Sequence, residues 1–575
     1  MASAAWATDV ATPTPTAVIN AGVRTQPECA NREPNPISTT KNRAPPTPVK
    51  INVLTEFLIH CDESDRQYLI DGFTNGFRIN FKGPAFSQIT NNHASVYTYY
   101  DVVDRMVSRE LELGRVAGPF DAPPFAYFVV SPLGVVPKKE AGKFRLIHDL
   151  SFPKQNSVNA FIDQQEASVQ YETLDHLITL LQRIGRGALM AKTDIEDAFR
   201  LIPVHKDDHH LLGFQFNNKF YYDKCLPMGC RMSCNIFERF SSALQRIMQA
   251  AFNCKGVTHI LDDFIFVGPP QCDTTLNYLN SFLRLAERCH IPIKQSKTVY
   301  PSTVIVAHGI ELDSTAMQAR LPVDKLERMR ELLQKFKNKR HALLRDIQSL
   351  VGLLNFACKV IRPGRAFLRR LIDLTTKAHS KHHHIKLNSD ARADIDAWLT
   401  FLHDFNGVSL FLHDQFVSSD AIKLYSDASG AKGYAAVFGS RWLAGPWTLA
   451  FEGLHITIKE LFPIVLALEV WGHQLRNHKI LFKSDNQAVV EIINKQTSRD
   501  RSVMILVRRL VLAALRNNVL FRATHIPGYT NTIPDRLSRF QFQEAQQLAP
   551  WLDPQPTSVP GHLLFLRSKR HPPAC

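Results

Sequence analysis

Apolar residues change their spacing twice along the chain, and each change marks a new kind of element. From Ile51 to about residue 320 short apolar runs dominate. A helical stretch, DVVDRMVSRELELG, precedes SPLGVVPKK and KFRLIHDLS, which read as strands joined by a Glu-Ala-Gly turn. In LMAKTDIEDAFRLIP an apolar strand runs into Asp194, and a helical turn begins at Ala198 and Phe199. GFQFNNKFYYDKCLP reads as a hairpin turning at Asn217 and Asn218, followed by a helix from about Ser233. THILDDFIFVG carries apolar arms on both sides of Asp262 and Asp263, which places these acids at the turn of a second hairpin. Both hairpins fit one sheet, with Asp194 and Asp262 side by side.

Between about 321 and 410 the pattern becomes helical: Ile347, Leu350, Val351 and Leu354 follow the i, i+3, i+4, i+7 rule. Lys and Arg crowd the stretch from Lys325 to Arg345. A solvated basic face is one reading of that stretch; contact with a nucleic-acid duplex through Lys335, Lys337 and Lys339 is the other. From Ile422 strands and helices alternate. IKLYSDASG is a strand ending at Asp427, GYAAVFG and RWLAGPW are further strands, and ITIKELFPIVLALEVWG is a helix carrying Glu460. KILFKSDNQAVVEIIN is a strand running into Asp485 and then a helix, and VLFRATHIPG is a last strand. This is an α/β unit with helices on a mixed sheet. The expected organisation is a Pro/Thr-rich disordered leader over 1–50, a first globular region over 51–320, a helical region over 321–414, the α/β unit over 415–540 and a tail over 541–575.

The chemistry lies in two sets of acids. Asp194, Asp262 and Asp263 form one, and Asp427, Glu460, Asp485 and Asp535 the other. Acids gathered in this way repel one another unless cations neutralise them, and divalent ions holding phosphate oxygens are the usual answer. A net charge of +15 suits a polyanionic partner. The 575 residues exceed what one core serves. No apolar run is long enough to span a bilayer, and MASAAWATDV lacks the features of a secretory signal. An intracellular protein, nuclear or cytoplasmic and without membrane contact, is expected. The ten cysteines contain no C-x-x-C pair and read as reduced thiols. The tract His382 to His384 reads as a solvated linker, with weak metal binding as the alternative.

With these motifs in order, residues 125 to 313 resemble the fingers and palm of a retroviral-type reverse transcriptase, and 422 to 540 resemble its ribonuclease H domain. The resemblance rests on Asp194 followed by Phe199, on Ile260-Leu261-Asp262-Asp263, on LPMG at Leu226 to Gly229, and on SPLGVVPKK with FRLIHDLS upstream. In the second region it rests on the four acids in order, with His525 ahead of Asp535. It implies an α+β multidomain fold, a right-hand polymerase with fingers, palm and thumb followed by a ribonuclease H-like α/β domain.

It further implies two ions, Mg2+ or Mn2+, at each active site, held by the seven acids. Lys138 and Arg145 would hold the incoming deoxynucleoside triphosphate, with Met228 and Gly229 beside it, and Phe199 would exclude a 2′-hydroxyl. His525 would assist turnover of RNA cleavage, a loop histidine with a structural hydrogen bond being the alternative. The implied partners are an RNA template, a DNA primer and the RNA–DNA hybrid. Lys297 matches the lysine near the leaving group, with Lys294 competing.

Three residues depart from the family pattern: Met228 where Gln is frequent, Ile260 where Tyr is common, and His308 in VAHGIELD where an apolar residue is usual. HGIELDS, ARLP and LVGLLNFACKVIRPGRAFLRRL look most like DIRS-type retrotransposons, which carry a tyrosine recombinase, so an element-encoded recombinase is a further implied partner. A pararetroviral or long-terminal-repeat polymerase comes second. A catalytically idle, host-retained nucleic-acid binder is the rival from another class.

Overall fold

The computed structural model describes residues 45–566, apart from 139–141, 377–379, 405–407, 411–416, 423, 477 and 499. The expected leader lies outside the described residues as far as 44. Residues 45–50 already dock on the body: Thr47 Oγ1 donates to Leu201 O at 2.7 Å, and the Lys50 N–H donates to Cys289 O at 2.9 Å.

The acids of the first set stand on a four-stranded sheet ordered Val299–Ser302, Leu189–Asp194, Asp263–Gly268, Val257–Ile260. Side chains alternate across it. Phe264 and Phe266 point to one face and pack with Phe237, Phe240 and Phe282 from the helices Ser233–Ala251 and Thr274–Arg288. Ile265 and Val267 point to the other and share a core with Leu177 and Leu181 of the helix Leu174–Ile184. An apolar run buried on both faces is what holds the acid-bearing strand ends in place.

The Asn217–Asn218 hairpin belongs elsewhere. It pairs Gly213–Phe216 with Lys219–Asp223 in a separate five-stranded sheet, so the expectation of one sheet for both hairpins is corrected. Both Asn residues take positive φ, 52° and 56°, as the two-residue turn requires. The strands Leu133–Pro137 and Phe144–His148 pair as read, with Val136 opposite Arg145, while most of the Glu-Ala-Gly turn between them lies outside the described residues.

The middle region is mostly helical: Val323–Lys337, Leu344–Ala357, Arg369–Thr375 and Ser389–Asp404. Ile347, Leu350 and Leu354 are fully buried. Short strands intervene, among them His384–Lys386, which pairs with His341–Leu343 and takes the end of the histidine tract into a ladder.

The α/β unit holds an antiparallel sheet of Leu424–Ala428, Gly433–Phe438 and Arg441–Pro446, beside a parallel sheet of Val417–Ser418, Lys479–Ser484 and Leu520–His525. The helix Ile456–Trp471 is apolar nearly all round because it is buried nearly all round. The sequence reading passed over the helix Arg501–Arg516, although Val503, Leu506, Val507, Leu510, Val511 and Ala514 have helical spacing and are buried. Arg508 joins Asp394 in a buried 2.6 Å ion pair, tying this helix to Ser389–Asp404 of the middle region.

Residues beyond the expected boundary at 540 fold onto the unit. The helix Phe542–Leu548 sets Phe542 against Trp442, whose Nε1 donates to Asp553 O at 2.8 Å. Arg509 donates to the carbonyls of Leu563 and Phe565. No helix among the described residues is long and apolar enough to cross a membrane.

Candidate active sites

The first site forms where two strands meet end to start. Asp194, the last residue of its strand, pairs in register with Asp263, the first of the next. The tight turn before Asp263 uses Leu261, at φ 53°, and Asp262. Asp263 rather than Asp262 therefore lies beside Asp194 in the ladder. Asp262 is nonetheless tied in, because its carbonyl accepts the Ile195 N–H at 2.9 Å. Glu238, a buried acid that sequence reasoning missed, braces the turn from below by accepting the Leu261 N–H at 3.1 Å.

Burial, reinforced by the charge of Asp194, raises the Asp262 carboxyl above its ordinary range. Burial likewise pushes Asp263 up to about 6, against the pull of Lys192 and with the repulsion of Asp194 and Asp262. Lys297 Nζ lies 2.5 Å from Asp194 Oδ2. Lys294 meets Asp194 only through its backbone N–H, so of the two competing lysines Lys297 is the one whose ammonium faces the acids.

Lys138 and Arg145 are both exposed, at the turn end of their hairpin. The positive charge of Arg145 is the least of the influences on Asp262 and acts to lower its carboxyl. Phe199 lies in the 3₁₀ turn Ala198–Leu201, with its ring edge-on to Phe237 at 5.7 Å. Met228 is partly exposed, and its carbonyl accepts the His148 N–H at 3.2 Å. Gly229 has φ +134°, and a Cβ there would stand 2.0 Å from His148 O, so the last position of LPMG has room only for Gly. His308 turns a hairpin at φ 49°, and its two ring nitrogens find no hydrogen-bond partner among the described residues. Burial pushes it down to about 4, so it fills the usual apolar position as a neutral ring.

The second site is tighter. Ligand oxygens of Asp427, Glu460 and Asp485 lie within 4.8 Å of one another, the one such group of three among the described residues. Asp427 comes from the strand Leu424–Ala428, Glu460 from the long buried helix, and Asp485 directly follows the strand Lys479–Ser484. Asp535, on the helix Thr532–Ser538, stands outside this group and accepts from Arg539 Nε at 2.8 Å. Its charge still reaches Asp427 and Glu460. Burial first, then Asp427 and Asp485, push Glu460 up to about 9, and burial pushes Asp427 up to about 6.

Ser538 Oγ donates to Asp427 Oδ2 at 2.7 Å and Asn531 Nδ2 to Asp427 Oδ1 at 3.4 Å, two supports the sequence did not announce. His525 is exposed at its strand end with Nε2 3.1 Å from Asp485 O, a contact compatible with either of its expected roles. Lys335 and Lys337 lie on the helix Val323–Lys337 and Lys339 just beyond its end; all three are exposed, and Lys337 pairs with Asp396 at 3.0 Å.

Residues 136–315 match the family model described as reverse transcriptase (RNA-dependent DNA polymerase). The architecture around them has the expected mixed α and β multidomain class, with further domains following the matched segment. Among curated proteins, Protein P of Duck hepatitis B virus (strain China) is 26% identical over 186 residues, covering 32% of this chain and 23% of that protein. The genome polyprotein of Petunia vein clearing virus is 19% identical over 387 residues, 64% of this chain and 17% of that polyprotein. The Gag-Pol polyprotein of Walleye dermal sarcoma virus is 25% identical over 185 residues, 30% of this chain and 10% of that polyprotein. The chain thus spans less than a quarter of the length of these relatives. Among solved structures, a foamy viral protease-reverse transcriptase in complex with ds DNA has a TM-score of 0.49 at 15% identity, covering 86% of this chain and 84% of that one.

Proposed function

We propose that the chain is an RNA- and DNA-directed DNA polymerase that also hydrolyses the RNA of RNA–DNA hybrids, with the two reactions at separate sites. The observation that carries the reading is the register of Asp194 with Asp263 inside the domain that matches the reverse transcriptase model. The cluster of Asp427, Glu460 and Asp485 supports the second activity.

Both donor sets fit hard divalent cations, since they offer converging carboxylate oxygens whose pKa values are raised by burial first and then by one another. Asp194, Asp262 and Asp263 would hold Mg2+ or Mn2+ at the first site, and Asp427, Glu460, Asp485 and Asp535 at the second. When bound, such ions neutralise charge on the reacting phosphate and acidify the attacking hydroxyl or water. The remaining work falls to the chain. Arg145, with Lys138, binds the triphosphate of an incoming deoxynucleotide through its planar fork of donors. Phe199 closes the space beside the sugar's second carbon. Lys297, aimed at Asp194, is placed to donate a proton toward the leaving pyrophosphate. His525 stands at the rim of the second site to assist product turnover.

The source we propose is a retroelement, most like the DIRS type, acting on an RNA template and DNA primer with an element-encoded recombinase. The test is primer extension on RNA beside cleavage of labelled RNA in a hybrid. Extension and cleavage by the wild type, each lost only on mutation of its own acids, support the reading, and a folded wild type inactive in both assays favours the idle binder.

A further inference from the structure

Arg200 follows Phe199 directly in the turn Ala198–Leu201, with its side chain mostly buried. It is a charge with every direction of its guanidinium occupied. Nε donates to Glu110 Oε2 at 2.9 Å, Nη2 reaches Asp223 Oδ1 at 2.8 Å, and Nη1 donates to the carbonyls of Cys225 and Leu226 at 3.2 and 3.4 Å. These acceptors come from the helix Tyr100–Glu112, the end of the strand Lys219–Asp223, and the two residues just before Pro227, Met228 and Gly229.

The circuit then closes on the LPMG turn by a second route. Asp223 Oδ2 meets His148 Nδ1 at 2.9 Å, the His148 N–H donates to Met228 O, and Gly229 lies against His148 O with no room for a Cβ. Burial acts to raise the Asp223 carboxyl, but Arg200 and His148 outweigh it and hold the group below its ordinary range. On the far side of the turn, Asp197 at φ 52° receives Arg115 at 3.0 Å and Arg109 at 3.3 Å. A planar fork with four fixed acceptors has one geometry, and the turn bearing Phe199 inherits it.

We propose that Arg200 is a positioning residue that fixes the distance between the Phe199 ring and the Met228–Gly229 turn, and thereby sets discrimination between deoxynucleoside and ribonucleoside triphosphates. The proposal rests on the polymerase reading. A gate that rejects one hydroxyl works on a fraction of an ångström, so loosening its anchor changes selection before it removes chemistry.

The test uses the full chain with Arg200→Lys, whose compact ammonium cannot satisfy the same acceptors, and Glu110→Gln, which keeps Arg200 and removes one partner charge. KM and kcat are measured for dNTP and rNTP in primer extension, with hybrid cleavage at the second site as the check on folding. The expected result is a loss of dNTP-over-rNTP preference on the order of tenfold in Arg200→Lys and a smaller loss in Glu110→Gln, both carried mainly by KM. Unchanged preference in a variant that still extends primers and cleaves hybrid overturns the proposal. If Arg200→Lys does not fold, Glu110→Gln decides alone. A wild type that cleaves hybrid but extends no primer overturns the polymerase reading instead, and the proposal with it.

Discussion

Asp194 and Asp263 face each other directly across an antiparallel ladder, and Asp262 occupies the turn one residue earlier with its carbonyl on the Ile195 N–H. Three carboxylates thus come from a strand end, a turn and a strand start, and none can be moved along its strand without turning its side chain to the other face. Asp194→Asn or Asp262→Asn should lower primer extension by on the order of a hundredfold or more, with the fold intact by circular dichroism. Near-normal extension by either variant would remove the assignment.

The second site is built from other strands and a helix of the α/β unit and should fail independently. Asp485→Asn is expected to abolish cleavage of RNA in a hybrid and leave primer extension within about twofold, and Asp262→Asn to do the reverse. His525→Ala should slow cleavage less than Asp485→Asn, since its ring meets the site through the Asp485 carbonyl. Parallel loss of both activities in each folded variant would show that the two sites are not separate.

Gly229→Ala tests the turn beside the first site. A Cβ at φ +134° and 2.0 Å from His148 O must displace backbone, which costs on the order of 1–3 kcal/mol. Extension should fall while hybrid cleavage persists. A variant with wild-type extension and melting temperature would mean that the turn adjusts freely.

The parts legible in sequence were those set by local pattern. Two Asn residues announced one hairpin, two Asp residues between apolar arms announced another, and helical spacing announced the burial of Ile347, Leu350 and Leu354. Sheet membership was not legible, because a hairpin's own residues do not say which strands it will join. The register of Asp263 with Asp194 depended on how many residues the turn consumed, which Leu261 decided by adopting positive φ. Supports such as Glu238, Arg200, Asn531 and Ser538 are ordinary polar residues until the chain brings them under an acid or a turn.

The basic helix divides into residues with different prospects. Lys337 is paired with Asp396, so it has less charge to offer a phosphate than Lys335 and Lys339. If the helix contacts a duplex, Lys335→Gln with Lys339→Gln should reduce the slope of log affinity against log salt by about one unit per lost contact, and Lys337→Gln should change it less. Equal slopes in all variants would return the helix to a solvated face.

Glu460 offers a pH test that needs no substrate. Its carboxyl is pushed from 4.5 up to about 9 by burial and then by Asp427 and Asp485, and Asp427 from 3.8 up to about 6. A group whose pKa rises on folding favours the folded state fully below its unfolded value, and that advantage is lost as pH climbs through the folded value. Without divalent ions, the α/β unit that carries Glu460 should therefore melt at progressively lower temperature between about pH 4.5 and pH 9, by on the order of several degrees. Glu460→Gln keeps the shape and removes the titration, so its melting curve should be flatter over that window. Mn2+ should raise the wild-type melting temperature most at the alkaline end, where both carboxylates are ionised, and calorimetry in buffers of different ionisation enthalpy should show protons released on binding. A Glu460→Gln protein with the wild-type pH dependence, and a wild type that binds Mn2+ without proton release near neutral pH, would show that the raised carboxyl is not what the cluster stores.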